Sequence, residues 1–117
     1  MTGLKIGLTT YFELAKPAIA SILEDQDGVR HACEGETSMM MVLAPDTVRR
    51  DKLPEAYGPA HSTPKPAGVG RYRSFRDISA SGVVGDARRA NADKGRRLTD
   101  ACRDAVAAVL RDPETWS

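Results

Sequence analysis

The sequence is short of the side chains from which metal sites and disulfide frameworks are built: it holds two histidines and two cysteines in 117 residues. Cys33 and Cys102 stand far apart, so neither a zinc ribbon nor a disulfide framework is indicated, and a reduced, cytoplasmic setting is the simpler expectation. No charge of one sign dominates. The formal net charge is +1, which offers little electrostatic attraction to nucleic acid. No apolar run approaches the length of a bilayer span, so no membrane partner is expected. The first residues carry one lysine, no long apolar core and no small-residue cleavage pattern, and no signal peptide is expected. What is present is about one small domain's worth of chain, with the apolar and charged content of a globular protein.

Along the chain, "LKIGLTTYFEL" at residues 4–14 favours an extended state, and a buried strand is expected there. Lys16-Pro17 opens a short helix, with Pro17 suited to its first turn; Ala18, Ile19, Ile22 and Leu23 share one face at helical spacing. Met39 to Ala44 are apolar without a break before Pro45, which predicts a helix from about Glu36, buried on most of its surface. "DTVRRDKL" adds a further turn. Residues 53–71 are a long loop in which Pro54, Pro59, Pro64 and Pro66 alternate with Gly58, Gly68 and Gly70; loops of that length are commonly functional or disordered. "RYRSFRDIS" predicts an edge strand or extended connection, and "SGVVGD" a turn. Asn91 is a good N-cap with Asp93 in the first helical turn. Leu98, Cys102, Ala105 and Val109 then line one face of a last helix.

The chemistry-bearing residues gather at "RHACEGETSMMM", residues 30–41. His31, Cys33, Glu34 and Glu36 all have metal-ligand chemistry, but the cluster is short and no second one completes it. The other imidazole, His61, sits in the Pro/Gly loop. Simpler readings exist for each group: a hydrogen-bonded structural histidine, carboxylates drawn to a helix N-terminus, and cysteines acting as small buried hydrophobes. The methionine run reads as core. Arg71, Arg73 and Arg76 suit a solvated edge or an anion site.

"HACEGETSMMMVLAPDTVRRDKL" resembles the creatininase family, the metal-dependent creatinine amidohydrolases. Members carry a His-Ala/Gly-x-x-x-Glu-Thr-Ser motif, an apolar helix rich in Leu and Met, and a Pro-x-x-Val segment. Here these are His31-Ala32-Cys33-Glu34-Gly35-Glu36-Thr37-Ser38, then Pro45 and Val48. Upstream, "LTTYFELA" is similar to the family's strand ending in a Tyr-aromatic pair at the substrate pocket. Downstream, "SGVVGDARRANADKGRRLTDAC" is similar to its Gly-Asp-x-Arg-x-Ala-x-x-x-Lys-Gly segment. The pieces run in family order over nearly the whole chain.

The resemblance implies an α/β fold: a partial three-layer α/β/α sandwich on a largely parallel sheet, in which residues 1–117 correspond to the C-terminal half of the domain. It implies a homo-oligomer and the hydrolysis of a C–N bond in a small, cyclic amide. His31 would be catalytic, touching substrate or shuttling a proton, a task suited to a group that titrates near neutrality. Tyr11 and Phe12 would bind substrate; Glu36 and Thr37 would support the loop bearing His31. The family's two divalent metals (zinc, manganese or iron) are held mainly by Glu-x-His, Asp and Gly-His-x-x-Asn motifs. Neither the Glu-x-His nor the Gly-His-x-x-Asn motif occurs here, so no metal ligand is assigned and the chain alone is expected to be inactive. A non-catalytic oligomeric binding or assembly module derived from the same fold is the alternative. Creatininases proper carry an acidic residue just before the histidine; Arg30 stands there instead, which argues against creatinine itself as substrate.

Overall fold

A computed structural model describes residues 3, 6–60 and 72–117. Its first helix, α1 (Tyr11–Leu14), begins where the Thr10 side-chain oxygen accepts the Glu13 N–H at 3.3 Å. Helix α2 (Lys16–Ile22) has Pro17 in its first turn, where a missing N–H leaves no bond unmade. The motif helix α3 spans Glu34–Leu43, and two 3₁₀ turns, Pro45–Thr47 and Arg50–Glu55, follow it. A short α4 (Phe75–Ile78) is capped by Ser74. The long α5 covers Ala92–Arg111, its cap Asn91 accepting the Lys94 N–H at 2.9 Å.

The core lies where α5 meets the N-terminal helices. Ala15, Ile19 and Leu23 pack with Leu98 and Cys102, and Phe12, Ile22, Val29, Met39 and Ala105 close around them. Helices α3 and α5 approach closely because Gly95 has no side chain: a Cβ there would overlap the Ser38 carbonyl and crowd Val42. The Ser38 hydroxyl accepts the Asn91 N–H at 3.1 Å, which ties the start of α5 to the middle of α3.

Among the described residues no β-strand forms. Two isolated antiparallel bridges occur, His31 with Val84 and Tyr57 with Asp86. Around them the Val84 N–H donates to the His31 carbonyl, and the Gly58 and Ala87 N–H groups donate to Gly85 and Ala56, each at 2.9 Å. Gly85 is required in this corner: its φ is +99°, and a Cβ would press on Gln26 and Cys33.

Three local expectations change. The strand expected over residues 4–14 is absent where it is described. Residues 6–10 lie exposed outside any regular element, with Leu8 99% exposed, and Thr10 starts a helix instead. An extended segment needs a neighbouring edge to satisfy its backbone, and no such edge lies beside it among the described residues. "RYRSFRDIS" is not a strand either, because Ser74 caps the turn α4. Helix α3 starts two residues earlier than expected, and its burial, which holds over most of the helix, leaves one face open. Met41 is buried against the fold, but Met40 is 40% and Leu43 61% exposed. Of the loop 53–71, residues 53–60 form the end of a 3₁₀ turn and the pairing with Gly85 and Ala87; His61 and Arg71 fall outside the described residues.

Candidate active site

His31 ends the loop before α3, and the residue after it is strained. Ala32 has φ +50°, the one non-glycine residue at positive φ among those described. A left-handed alanine costs about 1–2 kcal/mol, so neighbouring bonds must hold it. The Glu36 carboxylate accepts the Ala32 N–H at 2.5 Å, and the Thr37 hydroxyl donates to the Ala32 carbonyl at 3.2 Å. Both backbone groups of Ala32 are therefore bonded to the first turn of α3. The reversal turns the His31 side chain outward: His31 is exposed while Cys33, two residues on, is wholly buried.

Two cavities meet at His31. One, of about 800 Å³, is lined by His31, Tyr11, Glu36, Thr37, the Met39–Met40–Leu43 face of α3, Arg49, and Lys52 from the second 3₁₀ turn. The other, of about 720 Å³, is lined by His31, Phe12, Lys16, Arg30, Phe75 and Val84. Both volumes are in the range of small-molecule sites. Tyr11 and Phe12 meet edge to face, ring centroids 5.2 Å apart, yet they serve different cavities. Tyr11 joins Glu36 and Thr37 at the first, while Phe12 lines the second and packs on the core. Burial, with the negative charge of Glu36 beside it, pushes the Tyr11 phenol above its usual range, so at neutral pH it remains a hydrogen-bond donor.

The remaining reactive groups of the motif are engaged elsewhere. Glu34 is completely buried and accepts the Lys94 ammonium together with the Glu24 and Asp25 N–H groups. Lys94 also reaches Glu24 at 2.5 Å and the Arg89 carbonyl at 2.9 Å. Burial pulls the Lys94 pKa down, but the bonds to Glu24 and Glu34 outweigh it and hold the ammonium above the ordinary lysine range. The Cys33 sulfur accepts the Arg30 N–H at 3.2 Å, and burial raises the Cys102 thiol. Both cysteines are free and buried.

Phe75 and Lys94 are among the residues of this region that the sequence did not single out. The ring of Phe75 lies 4.1 Å from that of His31, centroid to centroid, tilted by 43°. Nothing local in "RYRSFRDIS" signals that contact. Lys94 had one signal, its place in the Lys-Gly pair that opens α5. The methionine run, read as core, supplies a wall of the larger cavity.

A family model described as Creatininase, creatinine amidohydrolase, matches residues 4–110. The chain belongs to the creatinine amidohydrolase family. No curated protein and no solved structure matches it. Creatinine amidohydrolases generally use a divalent metal, but the described residues do not fit one. Among them no three His, Cys, Asp or Glu side chains converge on a point, and Glu34, Glu36 and Cys33 already accept hydrogen bonds from Lys94, Ala32 and Arg30. Also among the described residues, no helix is long and apolar enough to cross a membrane.

Proposed function

We propose that this chain forms the substrate-facing, proton-transferring wall of a creatinine-amidohydrolase site acting on a small cyclic amide. The observation that carries the reading is His31, exposed at the junction of two ligand-sized cavities and presented by a strained Ala32. Backbone strain of this kind persists where surrounding bonds over-determine it, and it concentrates at functional sites. Opening a cyclic amide adds water to the carbonyl carbon and breaks the C–N bond, so the leaving nitrogen must gain a proton. His31 would deliver it. Tyr11 would donate to the substrate from the same cavity, and the Met39–Met40–Leu43 face would exclude water from its apolar side. Phe12 would act from the adjoining cavity, and Glu36 and Thr37 would hold Ala32 in place.

The chain alone would not turn over substrate. General acid–base help is worth about 10²–10⁴-fold, well short of common enzymatic accelerations, and Cys33, Glu34 and Glu36, which could help to hold a nucleophile-activating metal, are engaged in hydrogen bonds. We propose further that the three-layer α/β/α sandwich with its largely parallel sheet is the assembled form, reached in a cytoplasmic homo-oligomer. The exposure of Ile6 and Leu8, at 83% and 99%, supports such association. The second reading, a non-catalytic binding or assembly module, is supported by one observation, the engagement of Glu34 with Lys94.

The test is to titrate the purified chain with creatinine and with hydantoin while following the His31 ring signals by NMR. Hydrolysis and bound metal are then measured after adding zinc, manganese or iron. Binding that moves His31, without turnover or stoichiometric metal, is the expected result. Absence of binding at His31 would remove the site; turnover well above buffer would remove the claim that the chain is silent.

A further inference from the structure

We infer that Phe75 is a positioning residue for His31, setting the plane in which the imidazole faces the two cavities. The inference rests on the reading of His31 as the proton-transferring group. An exposed histidine is ordinarily free to exchange rotamers, and a proton-transfer group is useful only when aimed. Here the imidazole is not free. The Phe75 ring lies against it, 4.1 Å between centroids at a tilt of 43°, and covers part of one face.

The contact is built rather than incidental, because α4 is secured at both ends. Ser74 accepts the Asp77 N–H and donates to the Asp77 carboxylate at 2.8 Å, and the Arg73 guanidinium donates to the Asp77 carbonyl at 2.7 Å. At the other end, the Ser79 N–H donates to the Phe75 carbonyl at 2.8 Å. Ser79 is buried, its hydroxyl 3.1 Å from that of Ser81, which donates to the Tyr57 carbonyl at 2.7 Å. The same segment then returns to His31, where the Val84 N–H donates to its carbonyl at 2.9 Å. One stretch, residues 74–84, thus holds His31 twice: by the ring through Phe75 and by the backbone through Val84. Val84 and Ala32 fix only the main chain, whereas among the described residues the Phe75 ring lies against the side chain itself. Phe75 itself is 46% exposed, so core packing does not explain a phenylalanine there.

The experiment uses the full chain carrying His61→Gln, which leaves His31 as its one imidazole. His31 ring protons are recorded by NMR in that background and with Phe75→Leu, Phe75→Tyr and Phe75→Trp, the amides of α5 serving as the check that each variant is folded. The expected result is an upfield ring-current displacement of the His31 signals, lost in Phe75→Leu and retained in the two aromatic variants. Hydantoin is then titrated into each, and several-fold weaker binding is expected for Phe75→Leu alone. His31 signals that are the same in Phe75→Leu as in its parent would overturn the inference. So would equal hydantoin affinity in parent and Phe75→Leu. If the parent itself does not bind hydantoin, the reading of the site fails, and the ring signals still decide whether Phe75 lies against His31 in solution.

Discussion

Lys94 Nζ and Glu34 Oε1 lie 2.5 Å apart although 60 residues separate them, and Glu34 is wholly buried. The pair joins the first turn of α5 to the first turn of α3, and the Glu24 and Asp25 N–H groups complete the shell of Glu34. Lys94→Met should therefore cost about 3–5 kcal/mol, because it strands a buried carboxylate. Lys94→Met with Glu34→Leu should recover part of that loss. Urea unfolding of the two variants checks this, and a double variant no more stable than the single one would contradict it.

The same pair sets an alkaline limit. A lysine whose folded pKa is raised contributes stability that is complete below its unfolded value, about 10.4, and that disappears as pH rises through the folded value. The Lys94 pKa is raised, so stability should fall above about pH 10.4, and less so in the double variant. On the acid side, the hydrogen bond from Lys94, followed by that from Arg89, depresses Glu24. Its contribution is present above the ordinary carboxylate range and is lost as pH falls through the folded value. Thermal melts across pH read both limbs.

Ala32 carries its strain at φ +50°. Replacing it with glycine removes a steric cost of about 1–2 kcal/mol and adds back about 0.4–1 kcal/mol of unfolded-chain entropy. Ala32→Gly should therefore leave stability unchanged or slightly higher. Ala32→Val, β-branched at positive φ, should lower it by about 1–3 kcal/mol. Equal melting temperatures for the two would mean that the left-handed turn is not populated in solution.

At Gly95 two effects oppose. Alanine is the better helix former by about 0.8–1.0 kcal/mol, yet its Cβ would overlap the Ser38 carbonyl, a backbone atom that cannot swing aside. Overpacking typically costs about 1–3 kcal/mol, so Gly95→Ala should be net destabilising. A raised melting temperature would show that α3 and α5 are not held this close.

Met40 and Met41 separate the two faces of α3. Met40 is 40% exposed and lines the larger cavity, while Met41 is 5% exposed. Met41→Asp should cost several kcal/mol as an unpaired buried charge; Met40→Asp should cost about 1 kcal/mol or less. Equal losses would return the whole run to the core.

Much of the helical scaffold was legible in the residues. The α5 stripe, the Asn91 cap and Pro17 in the first turn of α2 all act within a few residues, where a 3.6-residue period and a capping oxygen are decisive. The motif around His31 was legible through its family resemblance, and its Glu36 and Thr37 side chains both bond back to Ala32. The cavity faces were not. A helix apolar on every side carries no mark of which side meets a neighbour, and Met40 and Leu43 became cavity wall only because Gly95 draws α5 onto the Ser38 side.

By itself, then, the sequence determined where α2 and α5 start, which family motif surrounds His31, and that two cysteines would be small buried groups. Those outcomes follow from sterics, capping and periodicity, which are short-ranged. The tertiary structure decided the rest. Glu34 is an ion-pair partner because Lys94 is brought to it across 60 residues of chain. Residues 6–10 lie outside any strand because, among the described residues, no sheet edge lies beside them to take their hydrogen bonds. The Phe75 ring meets that of His31 because a distant turn is laid beside it. Each depends on two segments meeting in space, and a pairing of that kind is not written in either segment alone.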